Sequence, residues 1–189
     1  MSKIDKQFDT YYEALIEESD RGCVLVGASM LEYLMEKLIR EKLFLATKGS
    51  IRKVAIALFE RNGPFSSFWS KMNFIYAIGF IRKDYYHDLD IIRKIRNEVA
   101  HNFDVVSFSD EKIASNTKRL KSFEKAVNTM VSVSDNNTNT KNTEIVDKAE
   151  TERFNFIMSV SYVAGILETQ IDDLNVLAPI IIAMQKEGN

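Results

Sequence analysis

DRGCVLVGASMLEYLMEKLI, residues 20–39, is the stretch that decides the fold. Val24, Ala28, Leu31, Met35 and Leu38 recur in alternating steps of four and three, and Leu34 widens the stripe. That spacing lays apolar side chains along one face of an α-helix and cannot fill one face of a strand. Ser19 or Asp20 supplies the cap, because a short oxygen-bearing side chain accepts from the free N–H groups of a first helical turn. Thr47-Lys48-Gly49 ends the segment. Gly22 and Gly27 sit in RGCVLVGAS without the lysine that a phosphate-binding loop places after its second glycine, so their expected role is close helix packing.

The same period continues outward. A short helix is expected from Ile51 to Arg61, broken by Asn62-Gly63-Pro64. Phe65-Ser66-Ser67 opens an aromatic helix whose Phe68, Met72, Ile75, Tyr76 and Gly79 share a face. A helix from Lys83 to His101 carries the arc Ile91, Ile92, Ile95 and Val99. One further helix is expected from about Ser109 to Val133, with Ile113, Leu120, Phe123, Val127 and Met130 inward. Val105-Val106-Ser107-Phe108 comes nearest to a strand and is too short. SDNNTNTKNT (134–143) is a low-complexity stretch of residues that compete with helix for local hydrogen bonds, and a flexible loop is expected there. Two helices follow, about Glu144 to Gln170 with the stripe Phe156, Val160, Val163 and Leu167, and Asp172 to Lys186. The expectation is a single all-α bundle of about seven helices: a core over 1–133, the loop, and C-terminal helices over 144–189 packed on the core.

Composition agrees. Seven glycines and two prolines in 189 residues are too few for a β-sandwich or a glycine-loop fold. Lys and Arg number 25 against 27 Asp and Glu, a net charge of −2 that suits neither a duplex-coating protein nor direct nucleic-acid binding. The lone Cys23 makes no intramolecular disulfide, which fits a reducing, cytoplasmic setting. The longest apolar run, Val176 to Met184, falls well short of the ~20 residues that span a bilayer, so no membrane association is expected.

Metal chemistry and cofactors are not expected. His87 and His101 lie fourteen residues apart, about 21 Å along one helix, and cannot share an ion. The informative segment is IRKIRNEVAH, 92–101. Arg93, Asn97 and His101 recur at helical i, i+4 and i+8, with Arg96 on the flank, so two guanidiniums, an amide and an imidazole share one stripe away from the Ile/Val arc. Such a stripe can neutralise a phosphodiester and move a proton. The favoured expectation is structural: Arg93, Arg96, Asn97 and His101 pair with Glu32 and Glu36 on a facing helix. Alternatively, Glu32 and Glu36 bridge to Arg40 on their own face. Lys118, Arg119 and Lys121, among Asp110, Glu111 and Glu124, read as a solvated face. Phe65, Phe68, Trp69, Phe74 and Tyr76 read as core, interrupted only by Lys71, and any that stay exposed would mark a protein-binding patch.

Residues 20–39 and GPFSSFWSKMNFIYAIGFIRKDYYHDLDIIRKIRNEVAH (63–101) resemble the mannitol operon repressor family, through the GP-x-SSF opening and the IRKIRN-x-x-AH ending above all. The likeness is read over roughly 15–125, leaving the Asn/Thr-rich loop and the C-terminal helices outside it. It implies an all-helical regulator of transcription without a recognisable DNA-reading element, acting through a protein partner. RNEVAH (96–101) also looks like the Arg-x4-His signature of the HEPN superfamily of helical domains, some of them metal-independent RNases. By that likeness Arg96 and His101 would be catalytic, with Asn97 assisting, across a dimer interface. A third expectation is an immunity or antitoxin protein, since a small acidic chain is steered towards a basic nuclease toxin. The expected function is therefore non-enzymatic: a binding protein whose partner is a regulator or a toxin, with a homodimer left open.

Overall fold

The structure is a computed structural model that describes residues 3–46, 50–102, 104, 106–134 and 148–187, with side chains over 6–43, 52–102, 104, 106–128 and 151–175. Eight α-helices make up the described chain: α1 (Lys3–Ile16), α2 (Asp20–Ala46), α3 (Ser50–Ala57), α4 (Phe68–Ala77), α5 (Lys83–His101), α6 (Glu111–Thr117), α7 (Ser122–Ser134) and α8 (Lys148–Glu187). No strand occurs among the described residues.

The bundle is built around α2. Its stripe of Val24, Ala28, Leu31, Leu34, Met35 and Leu38 is buried throughout. On one side α8 lies against it, and a Cβ at Gly27 would meet Val160 Cγ1 at 3.3 Å. Glycine there lets the two helices approach closely, as the packing reading of that position requires. Phe156, Val160, Val163, Ala164, Leu167, Ile171 and Leu174 of α8 join the main core cluster. On its other side α2 receives Phe68, Met72 and Ile75 of α4 and Ile91, Ile92, Ile95 and Val99 of α5. Ser19 caps α2, its Oγ accepting from Gly22 N at 3.1 Å. Asp20 is used elsewhere: it accepts from Phe108 N at 3.1 Å and pairs with Arg153.

Four features depart from the periodicity. An amphipathic α1 precedes Ser19, seating Phe8 and Leu15 in the core. The helix expected over 109–133 is two, because Asp88, wholly buried on α5, takes hydrogen bonds from Lys121 N at 2.9 Å and Ser122 N at 2.7 Å. A buried carboxylate there caps a new helix and stops the old one. The two helices expected after 144 are one, unbroken at 171. The Oδ2 of Asp172 accepts from Gln7 Nε2 of α1 at 3.0 Å, while Ile171 is buried. Finally, α4 ends at Ala77, and Gly79 lies beyond it at φ 79°, with Gly79 N bonded to Tyr76 O and Phe80 N to Ile75 O. That is a left-handed cap of the kind glycine favours. The loop expected over 134–143 falls outside the described residues save for Ser134, the last of α7.

Among the described residues no helix is long and apolar enough to cross a membrane, and no group of three or more His, Cys, Asp or Glu is placed to hold a metal ion. Cys23 is buried, which pushes its thiol up to about 12.

Candidate functional site

Two polar clusters matter. The first lies inside the α2–α4 interface. Lys71, only 4% exposed, places its ammonium 2.9 Å from Glu32 Oε1 and 3.0 Å from Glu36 Oε2. Arg40 reaches Glu36 from the next turn at 2.7 Å. Burial alone would raise the Glu36 pKa, but hydrogen bonds from Lys71 and Arg40 outweigh it and hold the carboxyl below its ordinary 4.5. Glu32 and Glu36 are therefore engaged by Lys71, not by the α5 stripe. The Glu36–Arg40 contact is the alternative drawn from the sequence. Lys71 carried a signal in the chain, since it sits between Phe68 and Ile75 on the inward side of its helix, where a cation needs a partner.

The second cluster is the α5 stripe. Its members separate. Arg93 turns back to Asp90, with Nη2 at 2.7 Å from Oδ1, and Lys94 takes the other oxygen at 2.7 Å. Burial opposes ionisation of Asp90, yet these two cations leave its carboxyl below the usual 3.8. Arg96 is exposed and donates to Asn97 Oδ1 at 3.2 Å. His101 is exposed at the last turn, and among the described residues no carboxylate pairs with Arg96 or His101. The structure sets Asn97 and His101 on the surface of α5 that faces α6, leaves Arg96 beside Asn97 outside that wall, and keeps Arg93 on its own helix; the pairing with Glu32 and Glu36 is not made.

That surface is one wall of an open groove of about 670 Å³ between α5 and α6, lined by Lys94, Asn97, Glu98, His101, Asn102, Lys112, Ser115 and Asn116. Arg119 donates to Asn116 Oδ1 at 3.3 Å on the far wall, as Arg96 does to Asn97 on the near one. Lys112 and Glu98 meet at 3.1 Å across the groove, with side chains 77% and 45% exposed. A pair so open to water contributes little and can be exchanged. The C-terminus of α5 is fixed by Arg21 of α2, whose guanidinium donates to the carbonyls of Val99, Asn102 and Asp104. A cation there offsets the negative end of the helix dipole and closes orphan carbonyls. The anchoring role of Arg21 was not visible in the sequence, because nothing in DRGC says which helix end it faces.

The expected basic cluster divides likewise: Lys118 faces Glu152 at 3.7 Å and Lys121 faces Asp84 at 3.9 Å. The expectation that the aromatics of 65–76 form core holds for Phe68, and Phe65 and Phe74 pack partly buried against it. It fails for Trp69, 58% exposed, and Tyr76, 38% exposed, two turns apart on the outer side of α4. Tyr76 stacks on Tyr86 at 4.4 Å between ring centroids.

Fold and site together define an all-helical protein organised on one central helix, with an open polar groove and an aromatic outer face. A family model described as "MtlR: Mannitol repressor" matches residues 7–171, and the chain belongs to that family. The match extends beyond the 15–125 of the sequence likeness and takes in much of α8, whose core-facing stripe is integral to the bundle. Among solved structures, an X-ray structure of the Escherichia coli MtlR–HPr complex contains a chain similar in fold, with TM-score 0.57 and 16% identity over 89% of this chain and 98% of that one. None of the curated proteins matches this chain in sequence.

Proposed function

We propose that the protein is a transcriptional regulator of the mannitol repressor type that acts by binding a protein partner, an HPr protein being the partner to test first, and that it does not read DNA by itself. The observation that carries this is the fold likeness to an MtlR chain solved as a complex with HPr. Two properties of this chain support it. Its net charge of −2 gives duplex DNA no general attraction. Trp69 and Tyr76 stand out from α4 as apolar surface of the kind that marks protein contact. Isothermal titration of the full chain with HPr from the same organism tests the reading. A saturable one-site isotherm that weakens with Trp69→Ala supports it. No heat and no co-elution, or tight sequence-specific DNA binding by the protein alone, overturns it.

One observation favours a second reading, metal-independent RNA cleavage. Arg96 and His101 stand exposed without carboxylate partners among the described residues, as a phosphodiester-handling pair would. Incubation of RNA with the protein in chelator decides it: cleavage lost in His101→Ala would establish the activity, and intact RNA with the unaltered protein would remove it.

A further inference from the structure

A second face of the bundle is apolar and acidic at once, and the partner reading leaves it unused. Between α1, α7 and α8 lies a cavity of about 480 Å³, within the range that encloses a ligand-sized group. Tyr12 and Ile16 line it from α1, Phe123 from α7, and Phe154 and Ile157 from α8. Phe123 and Phe154 meet edge to face at 6.1 Å between ring centroids, so two of these rings hold each other in place before anything docks. Ile16 and Phe154 are each 38% exposed, so this apolar surface reaches water and is not sealed core. Large apolar side chains left open together mark a contact site.

The charges around the cavity have one sign. Glu13 and Glu17 follow Tyr12 and Ile16 on α1, and Glu124 follows Phe123 on α7. All three are exposed, and no cation among the described residues pairs with them. Arg153 lines the cavity too, but its guanidinium is already engaged, donating to the carbonyls of Ile16 and Glu18 and pairing with Asp20 at 3.3 Å. Lys125 of α7 is drawn to Asp84 of α5 at 3.0 Å. A cation brought to the rim would therefore find unpaired carboxylates, whereas an anionic group would be repelled. The face is also separate from Trp69 and Tyr76: α4 packs against α2 and α5, whereas this cavity is walled by α1, α7 and α8.

We propose that the α1–α7–α8 cavity docks a short amphipathic basic segment of another protein. An aromatic or long aliphatic anchor seats among Ile16, Phe123 and Phe154, and flanking lysines or arginines lie over Glu13, Glu17 and Glu124. Apolar burial supplies the affinity, and the carboxylates select the charge of the partner. The site is independent of the α4 surface, so the two readings can fail separately.

Fluorescence anisotropy of the full chain against labelled peptides of about twelve residues tests it. The probes are an amphipathic peptide of lysine, leucine and phenylalanine, its counterpart with glutamate for lysine, and a third with serine for leucine and phenylalanine. The first is expected to bind saturably, at least about tenfold more tightly than either of the others, and more weakly as salt rises. Phe154→Ala with Ile16→Ser should weaken it about tenfold. Glu13→Gln with Glu17→Gln and Glu124→Gln should weaken it about fivefold and flatten the salt dependence. These five side chains are exposed, so circular dichroism should show the fold retained, and Trp69→Ala should leave binding unchanged. No saturation, equal binding of the glutamate peptide, indifference to both sets of substitutions, or loss of binding with Trp69→Ala would overturn the proposal. So would sedimentation showing a dimer of this chain that dissociates with Phe154→Ala, which would give the cavity to a second copy.

Discussion

Lys71 is a nearly buried cation whose two carboxylate partners are more open to water, so the cost of breaking the cluster depends on which side is changed. Its side chain is 6% accessible, whereas Glu32 and Glu36 are 27% and 30% accessible. Removing one side of a buried pair costs about 3–5 kcal/mol, chiefly by stranding the other charge. Which side is removed therefore matters. Glu32→Gln with Glu36→Gln strands the ammonium, but the amide oxygens still accept hydrogen bonds, so the expected cost is about 2–3 kcal/mol. Lys71→Met fills the same space with an apolar chain. It leaves two carboxylates that can rehydrate, one still paired with Arg40, for a cost of about 1 kcal/mol. With a slope near 2–3 kcal/mol per molar urea, the double substitution should lower the unfolding midpoint by about 1 M and Lys71→Met by about 0.3–0.5 M. The triple variant should recover most of the loss, since replacing a buried ionic cluster by neutral groups is near neutral. Equilibrium urea unfolding followed by far-ultraviolet circular dichroism measures all three. A larger loss for Lys71→Met than for the double substitution, or no recovery in the triple, would show that the carboxylates and not the ammonium bear the desolvation.

Asp88→Ala should cost about 3 kcal/mol, because the backbone N–H groups of Lys121 and Ser122 lose a charged acceptor in a buried site; a fall in melting temperature of roughly 10 °C is the expected readout. Acid should weaken the α2–α4 contact. Glu36 is held below its ordinary 4.5, so its contribution is present above pH 4.5 and is lost as pH falls through the lower folded value. The gap in urea midpoint between the unaltered protein and Lys71→Met should accordingly narrow between about pH 6 and pH 3. Arg21→Ala should release the carbonyls of Val99, Asn102 and Asp104, and amide hydrogen exchange should speed up around the end of α5 while the centre of α2 stays protected.

Helix content, the inward faces of α2, α5 and α8 and the packing role of Gly27 were all legible in the chain, because a repeat of 3.6 is a local property that apolar side chains display one after another. The surface stripe of α5 was legible as a set of residues but not as a set of contacts. Arg93 and Arg96 are both arginines on the same helix, yet one finds Asp90 a turn away while the other stays exposed and donates to its neighbour Asn97. Spacing alone does not distinguish them, since long flexible side chains select partners after the helices have packed.

Elsewhere the tertiary structure overruled a local signal. The break between α6 and α7 is imposed by Asp88, some thirty residues distant in the chain, and α8 runs on through 171 where Asp172 accepts from Gln7 of α1 and Ile171 packs into the core. The pairing of Lys71 with Glu32 and Glu36 belongs to the same class. Periodicity along the chain thus determined that this protein is a helical bundle and which faces turn inward. Where helices stop, which charges neutralise one another and where a groove opens were decided only once the helices met, because a buried polar group must find its partner in space and not in sequence.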